Sequence, residues 1–283
     1  MVRGADSSLQ IGKLKLDFPA VMGILNVTPD SFSDGGRFLV ADDAMRQAEA
    51  MAKAGAAIID VGGESTRPGA AGVSAQEEID RVVPIIEAIS QKLDVPVSVD
   101  TSKAAVMQAA VAAGAEMLND VRALRDDCAL EAAIALQKPV CLMHMQGQPR
   151  TMQEDPSYED VTAEVAGFLE DRIRDCVAAG LNRELIIVDP GFGFGKSESN
   201  NVELLANLRQ LQKLGQPVLV GISRKSTLGD ITGRDTGERT PASIAAAVIA
   251  VMSGAQIVRV HDVAETVDAL KVSRVVMEAE LSQ

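Results

Sequence analysis

The sequence predicts an α/β fold, a TIM (β/α)8 barrel preceded by a short N-terminal hairpin or lid segment. Short apolar runs alternate with longer amphipathic segments along the chain, as parallel strands alternate with helices. This unit occurs eight times within 283 residues, which suits a closed barrel. No linker, charge block or low-complexity stretch divides the chain. We therefore expect a single domain over residues 1–283.

The elements follow in order along the chain. Residues 9–18 alternate weakly between apolar and polar side chains, which indicates the hairpin or lid. The predicted strands are residues 20–25, 57–61, 96–99, 116–119, 140–143, 185–188, 217–222 and 255–260. The predicted helices are residues 41–54, 74–92, 103–113, 128–136, 158–179, 200–214, 240–253 and 263–280. A doubly wound open sheet is the alternative that the same order of elements leaves open.

Glycine marks the ends of several predicted helices. A glycine just past a helix accepts the left-handed conformation that closes the last turn. Five glycines occupy such positions: Gly55, Gly114, Gly180, Gly215 and Gly254.

Composition argues against several functions. The formal net charge of −13 disfavours non-specific binding to nucleic acid and to anionic membranes. Aromatic residues make up 2% of the chain, so base-stacking platforms are not expected. Three cysteines form no C-x-x-C pattern, and two histidines are too few for a zinc site without other ligands. With no apolar signal segment at the N-terminus, we expect a cytoplasmic protein.

Polar side chains stand at the carboxyl end of nearly every predicted strand. In a TIM barrel these ends surround one cavity and carry the chemistry. A ring of such groups is costly to bury unless a ligand or the groups themselves satisfy it. The ring comprises Asn26, Asp60 with Glu64, Asp100, Asn119, His144, Asp189, Arg224 with Lys225, and Arg259 with His261.

Asp189 opens a glycine-rich stretch, residues 189–197, directly after a buried apolar run. Neither the P-loop pattern nor the G-x-G-x-x-G pattern is complete there, because their required glycines fall at Pro190 and Lys196. A carboxylate at a strand end followed by a pliable loop indicates a binding site. The alternative is an aspartate that caps the next helix.

The ring contains two chemistries. Asp100, Asn119, Asp189 and Lys225 together suit a flat heterocycle with several hydrogen-bond donors and acceptors. A second set offers cations and anion-binding turns: Arg67, Arg259, His261 and residues 223–226. Two alternatives stay open: Arg224 and Lys225 as a solvated basic pair, and His261 as a helix-cap neighbour beside Asp262.

Two long glycine-rich loops, residues 26–38 and 62–73, are predicted to contact ligand. Surface connection is the plain alternative, although the Arg67-Pro68 pair is stiff and charged, unlike a linker.

Eight segments resemble the bacterial dihydropteroate synthase family, in order and in register. They are residues 21–36, 59–69, 98–102, 118–121, 142–147, 188–196, 221–226 and 259–263. The resemblance implies a TIM barrel that joins 6-hydroxymethyl-7,8-dihydropterin diphosphate to p-aminobenzoate with Mg²⁺, releasing diphosphate by an SN1-like step. It also implies sulfonamide inhibitors and a homodimer formed through the outer helices.

The resemblance also assigns site residues. It places the pterin against Asp100, Asn119, Met143, Asp189, Gly221 and Lys225. It places diphosphate against Asn26, Arg67, Arg259 and His261, with Asn26 near Mg²⁺. It places p-aminobenzoate against Phe32, Thr66, Arg67, Pro68, Phe194 and Ser226. The expected catalytic residues are Asp100, Lys225, Arg259, His261 and Arg67, with Asp34 as a candidate for completing the closed site.

Two other functions remain open at this point. A pterin-dependent methyltransferase would share the pterin residues but would have no use for Arg67 or for the Arg259 and His261 pair. A catalytically silent pterin-binding paralogue is the other, although the long loops and the cationic residues are all present.

Overall fold

A computed structural model describes residues 8–11, 14–28, 37–65, 72–147, 152–153 and 156–281. The strands are β1 (Ser8–Ile11), β2 (Leu14–Asp17), β3 (Ala20–Asn26), β4 (Ile58–Gly62), β5 (Val97–Asp100), β6 (Met117–Asp120), β7 (Val140–Met143), β8 (Ile186–Asp189), β9 (Leu219–Val220) and β10 (Ile257–Val260). The helices are α1 (Arg37–Ala54), α2 (Ala75–Lys92), α3 (Ala104–Ala112), α4 (Ala129–Leu136), α5 (Val161–Ala178), α6 (Glu198–Ala206), α7 (Ser226–Thr232), α8 (Thr240–Met252) and α9 (Val263–Leu281).

The strands β3 to β10 form one parallel eight-stranded sheet. The pairing runs from β8 through β7, β6, β5, β4, β3 and β10 to β9. The two edges then meet: Val188 bridges Val218, and the Val188 amide donates to the Pro217 carbonyl at 2.9 Å. The sheet is therefore a closed barrel, as the sequence predicts, and the open-sheet alternative is excluded.

The predicted N-terminal hairpin is confirmed. Strands β1 and β2 pair antiparallel, with Ile11 opposite Leu14. The side chains of Leu14 and Leu16 are buried and pack into the base of the barrel. The hairpin therefore closes the end of the barrel where the strands begin.

The barrel interior has two halves. Its lower half, at the amino ends of the strands, is an apolar cluster closed below by the hairpin. That half contains Met22, Ile58, Met117, Cys141, Ile187, Leu219 and Ile257. The upper half lies two residues further along six of these strands, because alternate residues of a strand face the same side. It contains Asp60, Asn119, Met143, Asp189, Gly221 and Arg259, together with Asp100 from β5.

The alternate positions of the strands face outward. Val61, Val99, Leu118, Leu142 and Val188 are each fully buried and pack against the surrounding helices in one large cluster. This layer of branched aliphatic side chains explains why the strands read as continuous apolar runs, since both faces are covered.

Several element boundaries differ from the predicted ones by a few residues. The predicted helix over residues 200–214 is α6, which begins earlier, followed by a 3-10 helix at Leu208–Leu214. Ser197 caps α6 by accepting a hydrogen bond from the Asn200 amide at 3.2 Å, so the helix begins at Glu198, before the predicted start. The short helix α7 was not predicted, and β9 is shorter than predicted. The five glycines predicted to follow helices all have positive φ.

None of the helices in the described residues is long and apolar enough to cross a membrane.

Candidate functional site

The polar upper half of the barrel interior gathers groups that are far apart in sequence. Asp100 ends β5, Asn119 lies in β6 and Asp189 ends β8, while Arg259 enters from β10. The three acidic and amide side chains belong to buried residues, each less than a tenth exposed. Met117, Ile187 and Ile257 face the lower half of the barrel interior. Because alternate residues of a strand face the same side, the residues two positions later on the same strands face this site.

Arg259 joins two buried carboxylates. Its Nε donates to Asp60 Oδ2 and its Nη2 donates to Asp100 Oδ2, each at 2.7 Å. Asn119 Nδ2 also donates to Asp60 Oδ2, at 3.0 Å. The sequence predicts Arg259 among the groups that hold diphosphate, and here the guanidinium lies among the carboxylates. Asp60, a member of the predicted ring of strand-end groups, is the centre of this network.

Two carboxylate oxygens of the upper half have no hydrogen-bond partner among the described residues. They are Asp60 Oδ1 and Asp100 Oδ1, and both are buried. Burial raises the pKa of Asp100 to about 7, although Arg259 opposes the shift. Buried acceptors without partners cost free energy, so they mark a place where a ligand with N–H groups gains affinity.

Asp189 stands on the opposite wall and is 6% exposed. Its Oδ1 accepts from the Gly191 amide at 2.7 Å, and burial raises its pKa to about 6. The next helix begins at Glu198 and is capped by Ser197. Asp189 is therefore not a helix cap, and it lies in the same half of the barrel interior as Asp100 and Asn119.

Lys225 completes this set of groups. Its Nζ lies 4.0 Å from the centroid of the buried Phe194 ring, a cation–π contact. Burial and, to a smaller extent, the charge of Arg259 lower the pKa of Lys225 to about 8. A Cβ at Gly193 would lie 3.1 Å from Lys225 Cδ, so the lysine stem passes close to the backbone of the glycine-rich loop.

Arg224 turns the other way from Lys225. Its φ of 57° is left-handed, which is uncommon for a residue with a side chain. The guanidinium makes a two-contact ion pair with Asp262, Nε donating to Oδ2 at 3.1 Å and Nη2 to Oδ1. Arg224 and Lys225 are therefore not a solvated basic pair, since the first is paired with Asp262 and the second packs against Phe194.

His261 lies beside Ser223, which ends the chain segment after β9. The Ser223 Oγ accepts from the His261 amide at 3.2 Å and lies 3.0 Å from His261 Nδ1. Burial lowers the pKa of His261 to about 4, helped by Arg224 and Arg259. The sequence predicts a cation here, and the structure instead gives a neutral ring at pH 7. With Ser223 donating to Nδ1, the Nε2–H remains available to an anion.

The other predicted residues of the described chain lie at or just beyond the carboxyl ends of strands. Met143 is buried against Val121, Met145, Met152 and Phe194. Asn26 ends β3 and its Oδ1 lies near Gly62. Gly221 follows β9, and a Cβ there would lie 3.8 Å from the Cβ of Arg259, an ordinary contact. Ser226 is exposed and begins α7.

Comparison with known proteins agrees with this geometry. The family described as "Pterin binding enzyme" matches residues 22–261. The dihydropteroate synthase of Escherichia coli is 53% identical over 266 residues, 94% of each chain. That of Haemophilus influenzae is 53% identical over 259 residues, which are 92% of this chain and 94% of the relative. The chain belongs to the dihydropteroate synthase family.

Solved structures of the family have the same fold. The Yersinia pestis dihydropteroate synthase with a sulfonamide drug complex has a TM-score of 0.91 at 52% identity, covering 95% of this chain and 99% of that one. The Xanthomonas albilineans dihydropteroate synthase with 4-aminobenzoic acid has a TM-score of 0.90 at 49% identity, covering 96% and 99%. The same enzyme in complex with 7,8-dihydropteroate has a TM-score of 0.86 at 46% identity, covering 95% and 98%.

Five predicted site residues of this family member lie outside the described residues. They are Phe32, Asp34, Thr66, Arg67 and Pro68. Ion pairs stabilise the chain just before residues 66–71. Lys103 Nζ donates to Glu64 at 2.6 Å and also forms a salt bridge with the buried Glu78. Glu64 Oε1 also accepts from the Val73 amide at 3.2 Å. The Glu64 carboxylate thus links the chain before residues 66–71 to Val73, which follows them.

Two residues of the pterin-binding barrel behave differently from the sequence prediction. His144 was expected in the strand-end ring, and its Nδ1 instead contacts Lys196 Nζ at 2.9 Å, with the imidazole buried against Phe168. Lys196 is 2% exposed and was not predicted as a functional residue. It lies seven residues beyond the strand end, where neither strand nor helix periodicity indicates which way a side chain points.

Proposed function

We propose that this chain is a dihydropteroate synthase, which joins 6-hydroxymethyl-7,8-dihydropterin diphosphate to p-aminobenzoate and releases diphosphate. The proposal depends on one observation: Asp100, Asn119, Asp189 and Lys225, which are distant in sequence, come together at the upper half of the barrel. The membership of the family at 53% identity over 94% of the chain supports it.

The pterin ring presents amino and N–H donors on one edge and a carbonyl oxygen beside them. Asp189 and Asp100 are the carboxylates that can accept from those donors, and Asn119 offers both a donor and an acceptor. Lys225 can donate to the ring carbonyl or a ring nitrogen. A flat ring bound here would donate hydrogen bonds to carboxylate oxygens that are buried and have no partner in the free protein. Binding would therefore offset the free-energy cost of burying those oxygens.

Diphosphate departure is the step that breaks a bond. The C–O bond between the pterin methylene and diphosphate breaks, and its electron pair leaves with the oxygen. The developing negative charge is stabilised by donors aimed at it, for which we propose Asn26, Arg67, Arg259 and the Nε2–H of His261.

The amine nitrogen of p-aminobenzoate then forms the new bond to the methylene carbon and releases its proton. An aromatic amine is neutral at pH 7, so this attack needs no strong general base. We propose that Phe194 and Ser226 border this second substrate, together with Phe32, Thr66, Arg67 and Pro68. Asp34 remains a candidate for completing the closed site.

The side chains near the proposed diphosphate site are compatible with a Mg²⁺ ion that is bound mainly by the diphosphate. The described residues contain no group of three or more His, Cys, Asp or Glu side chains placed to hold a metal ion. Mg²⁺ characteristically keeps several waters and takes one or two protein oxygens beside phosphate oxygens. The amide oxygen of Asn26 suits that arrangement. When bound, Mg²⁺ would neutralise charge on the leaving diphosphate.

We propose that the chain forms a homodimer through its outer helices. Large aliphatic side chains are exposed on neighbouring helices α7, α8 and α9: Ile231, Ile249, Met252, Val272, Val275 and Val276. Exposed apolar side chains grouped on adjoining helices are typical of surfaces that associate. The family resemblance also supports sulfonamides as inhibitors, and the composition supports a cytoplasmic location.

The proposed activity is tested by incubating the purified chain with 6-hydroxymethyl-7,8-dihydropterin diphosphate, p-aminobenzoate and Mg²⁺. We expect 7,8-dihydropteroate and diphosphate in equal amounts, and neither product with Lys225→Met. The exposed Lys213→Met is the matched control that keeps activity. A chain that binds pterin but forms no dihydropteroate would be a silent paralogue. Methyl transfer from a methylated pterin without diphosphate release would indicate the methyltransferase.

A further inference from the structure

Lys196 is a buried cation that makes only neutral contacts. Its Nζ donates to the Gly191 carbonyl at 2.9 Å and to the Phe194 carbonyl at 3.2 Å. The third contact is His144 Nδ1 at 2.9 Å. Within the described chain no carboxylate forms a salt bridge with it. A buried ammonium with no carboxylate in contact is costly, so its presence requires an explanation beyond packing.

The loop that Lys196 ties together is packed tightly against the chain after β7. Gly191, Gly193 and Gly195 all have positive φ, between 62° and 74°. A Cβ at Gly191 would clash with the His144 carbonyl oxygen, and one at Gly195 would clash with the Gln146 carbonyl oxygen. The ammonium therefore sits inside a closed turn, where three acceptors match its three protons.

This loop touches the pterin-binding groups at three points. The Gly191 amide donates to Asp189 Oδ1 at 2.7 Å. The Phe194 ring lies under Lys225 Nζ, and Gly193 lies against the Lys225 stem. The two carbonyls that Lys196 holds belong to Gly191 and Phe194. A shift of either carbonyl therefore moves the Asp189 hydrogen bond or the Lys225 contact.

We propose that Lys196 is a positioning residue for pterin binding: its ammonium fixes residues 191–194 so that Asp189 and Lys225 face the ring, and it places a positive charge on the loop whose Gly191 amide holds Asp189. This inference rests on the proposed function, because it assigns a role to the loop beside the same site.

The electrostatic part follows from the charges around Asp189. Lys225 and Arg259 face it from the neighbouring strand ends, Lys196 faces it from its own loop, and the buried Cys141 thiol lies on β7. Burial raises the pKa of Asp189, and the three cations oppose that rise. Burial lowers the pKa of Lys196 to about 7, so Lys196 is an ammonium in the acidic range where Asp189 titrates.

His144 supplies the third acceptor. Burial and, to a smaller extent, the charge of Lys196 lower the pKa of His144 to about 2, so the imidazole is neutral and Nδ1 accepts a hydrogen bond from the ammonium. The ring is oriented by an edge contact with Phe168, at 5.0 Å between centroids. An asparagine at this position can keep an acceptor near Nδ1, whereas a leucine cannot. The two substitutions therefore differ mainly in the hydrogen bond.

The test is calorimetric titration of 6-hydroxymethylpterin into the full chain between pH 5 and 8. We expect Lys196→Met to weaken binding ~10-fold at pH 7. The acid limb that belongs to Asp189, the steeper fall of affinity below pH 6, should also move upward by roughly half to one pH unit, because Asp189 loses a nearby positive charge. Lys196→Arg keeps the charge and should keep the acid limb at its wild-type position, whatever its effect on affinity.

A merely structural role would lower affinity equally at every pH and leave the acid limb in place. That result, or wild-type affinity in Lys196→Met, overturns the proposal. If Lys196→Met does not fold, the pair His144→Asn and His144→Leu decides: weaker binding only in the leucine variant supports it, and equal affinity overturns it. Lys213→Met controls for loss of an exposed lysine. If wild-type protein binds no pterin, the proposed function itself fails, which is a separate outcome.

Discussion

The two halves of the barrel interior are built on the same strands and have opposite chemistry. The lower half consists of fully buried apolar side chains, closed by Leu14 and Leu16 of the hairpin. The upper half holds three carboxylates, an amide and a guanidinium, with two carboxylate oxygens unpartnered. On β8, Ile187 lies in the lower half and Asp189 lies in the upper half, only two residues further along the strand.

The difference shows how one strand supports both stability and function. Apolar burial in the lower half contributes free energy of folding, while the polar groups above cost free energy until a ligand meets them. Substitutions two residues apart on one strand should therefore separate the two properties.

Ile187→Ala should destabilise the fold by ~2–5 kcal/mol, because it opens a cavity in a fully buried cluster. Pterin affinity should stay at the wild-type value under conditions where the variant is folded. Urea denaturation gives the free energy of unfolding, and calorimetry at low temperature gives the affinity. If the variant loses affinity as strongly as one with an altered Asp189, the two halves are not separable.

Asp189→Asn should weaken pterin binding by ~1–3 kcal/mol, about 5- to 150-fold, while the free energy of unfolding stays near wild type. The exchange replaces one acceptor oxygen with an amide donor, so at least one ring donor loses its partner. Calorimetry of 6-hydroxymethylpterin measures the loss. Wild-type affinity in this variant would remove Asp189 from the pterin site.

Pterin affinity should fall as the pH is lowered. The pKa values of Asp100 and Asp189 are raised by burial to about 7 and about 6, so both carboxylates gain protons within an accessible range. A protonated carboxyl group no longer accepts from the ring. Each of the two groups should therefore weaken the free energy of pterin binding by up to ~1.4 kcal/mol per pH unit below its pKa. Affinity should therefore begin to decline near pH 7 and fall more steeply below pH 6.

The matched control for that titration is Asp189→Asn, whose profile should lose the steeper fall below pH 6. A wild-type affinity that is constant from pH 5 to 8 would mean that neither carboxylate accepts from the ring.

His261→Ala should weaken diphosphate binding by ~0.5–1.5 kcal/mol, the size of one hydrogen bond, because the ring is neutral at pH 7. His261→Gln, which keeps an N–H donor, is the matched control and should retain part of the affinity. Competition by diphosphate at constant Mg²⁺ measures both. A wild-type affinity that falls tenfold between pH 6 and 8, with no such fall in His261→Ala, would show that the ring binds as a cation.

The sequence predicts the barrel well because its signals are local. Apolar runs, the glycines after helices and the polar strand ends are all visible over a few residues, and Asp100, Asn119 and Asp189 emerge from them directly. The long-range contacts are less visible. Asp60 becomes the partner of Arg259 only through the register of strands distant in sequence, and Lys196 acts from a loop without periodicity.

Electrostatics was the other property that the sequence could not supply. His261 reads as a cation beside Arg259, yet burial and the neighbouring guanidinium groups leave it neutral. Arg224 and Lys225 are adjacent in sequence, yet the left-handed backbone at Arg224 separates them. Such outcomes depend on desolvation and on backbone conformation, which no residue type fixes alone.

The central claim, that the upper half of the barrel interior binds pterin, is tested most directly by a crystal structure with 6-hydroxymethylpterin. The account predicts the ring among Asp100, Asn119 and Asp189, with hydrogen bonds to Asp189 and with Lys225 beside the ring. A ring bound elsewhere, with Asp189 and Asn119 making the same contacts as in the free protein, would contradict it.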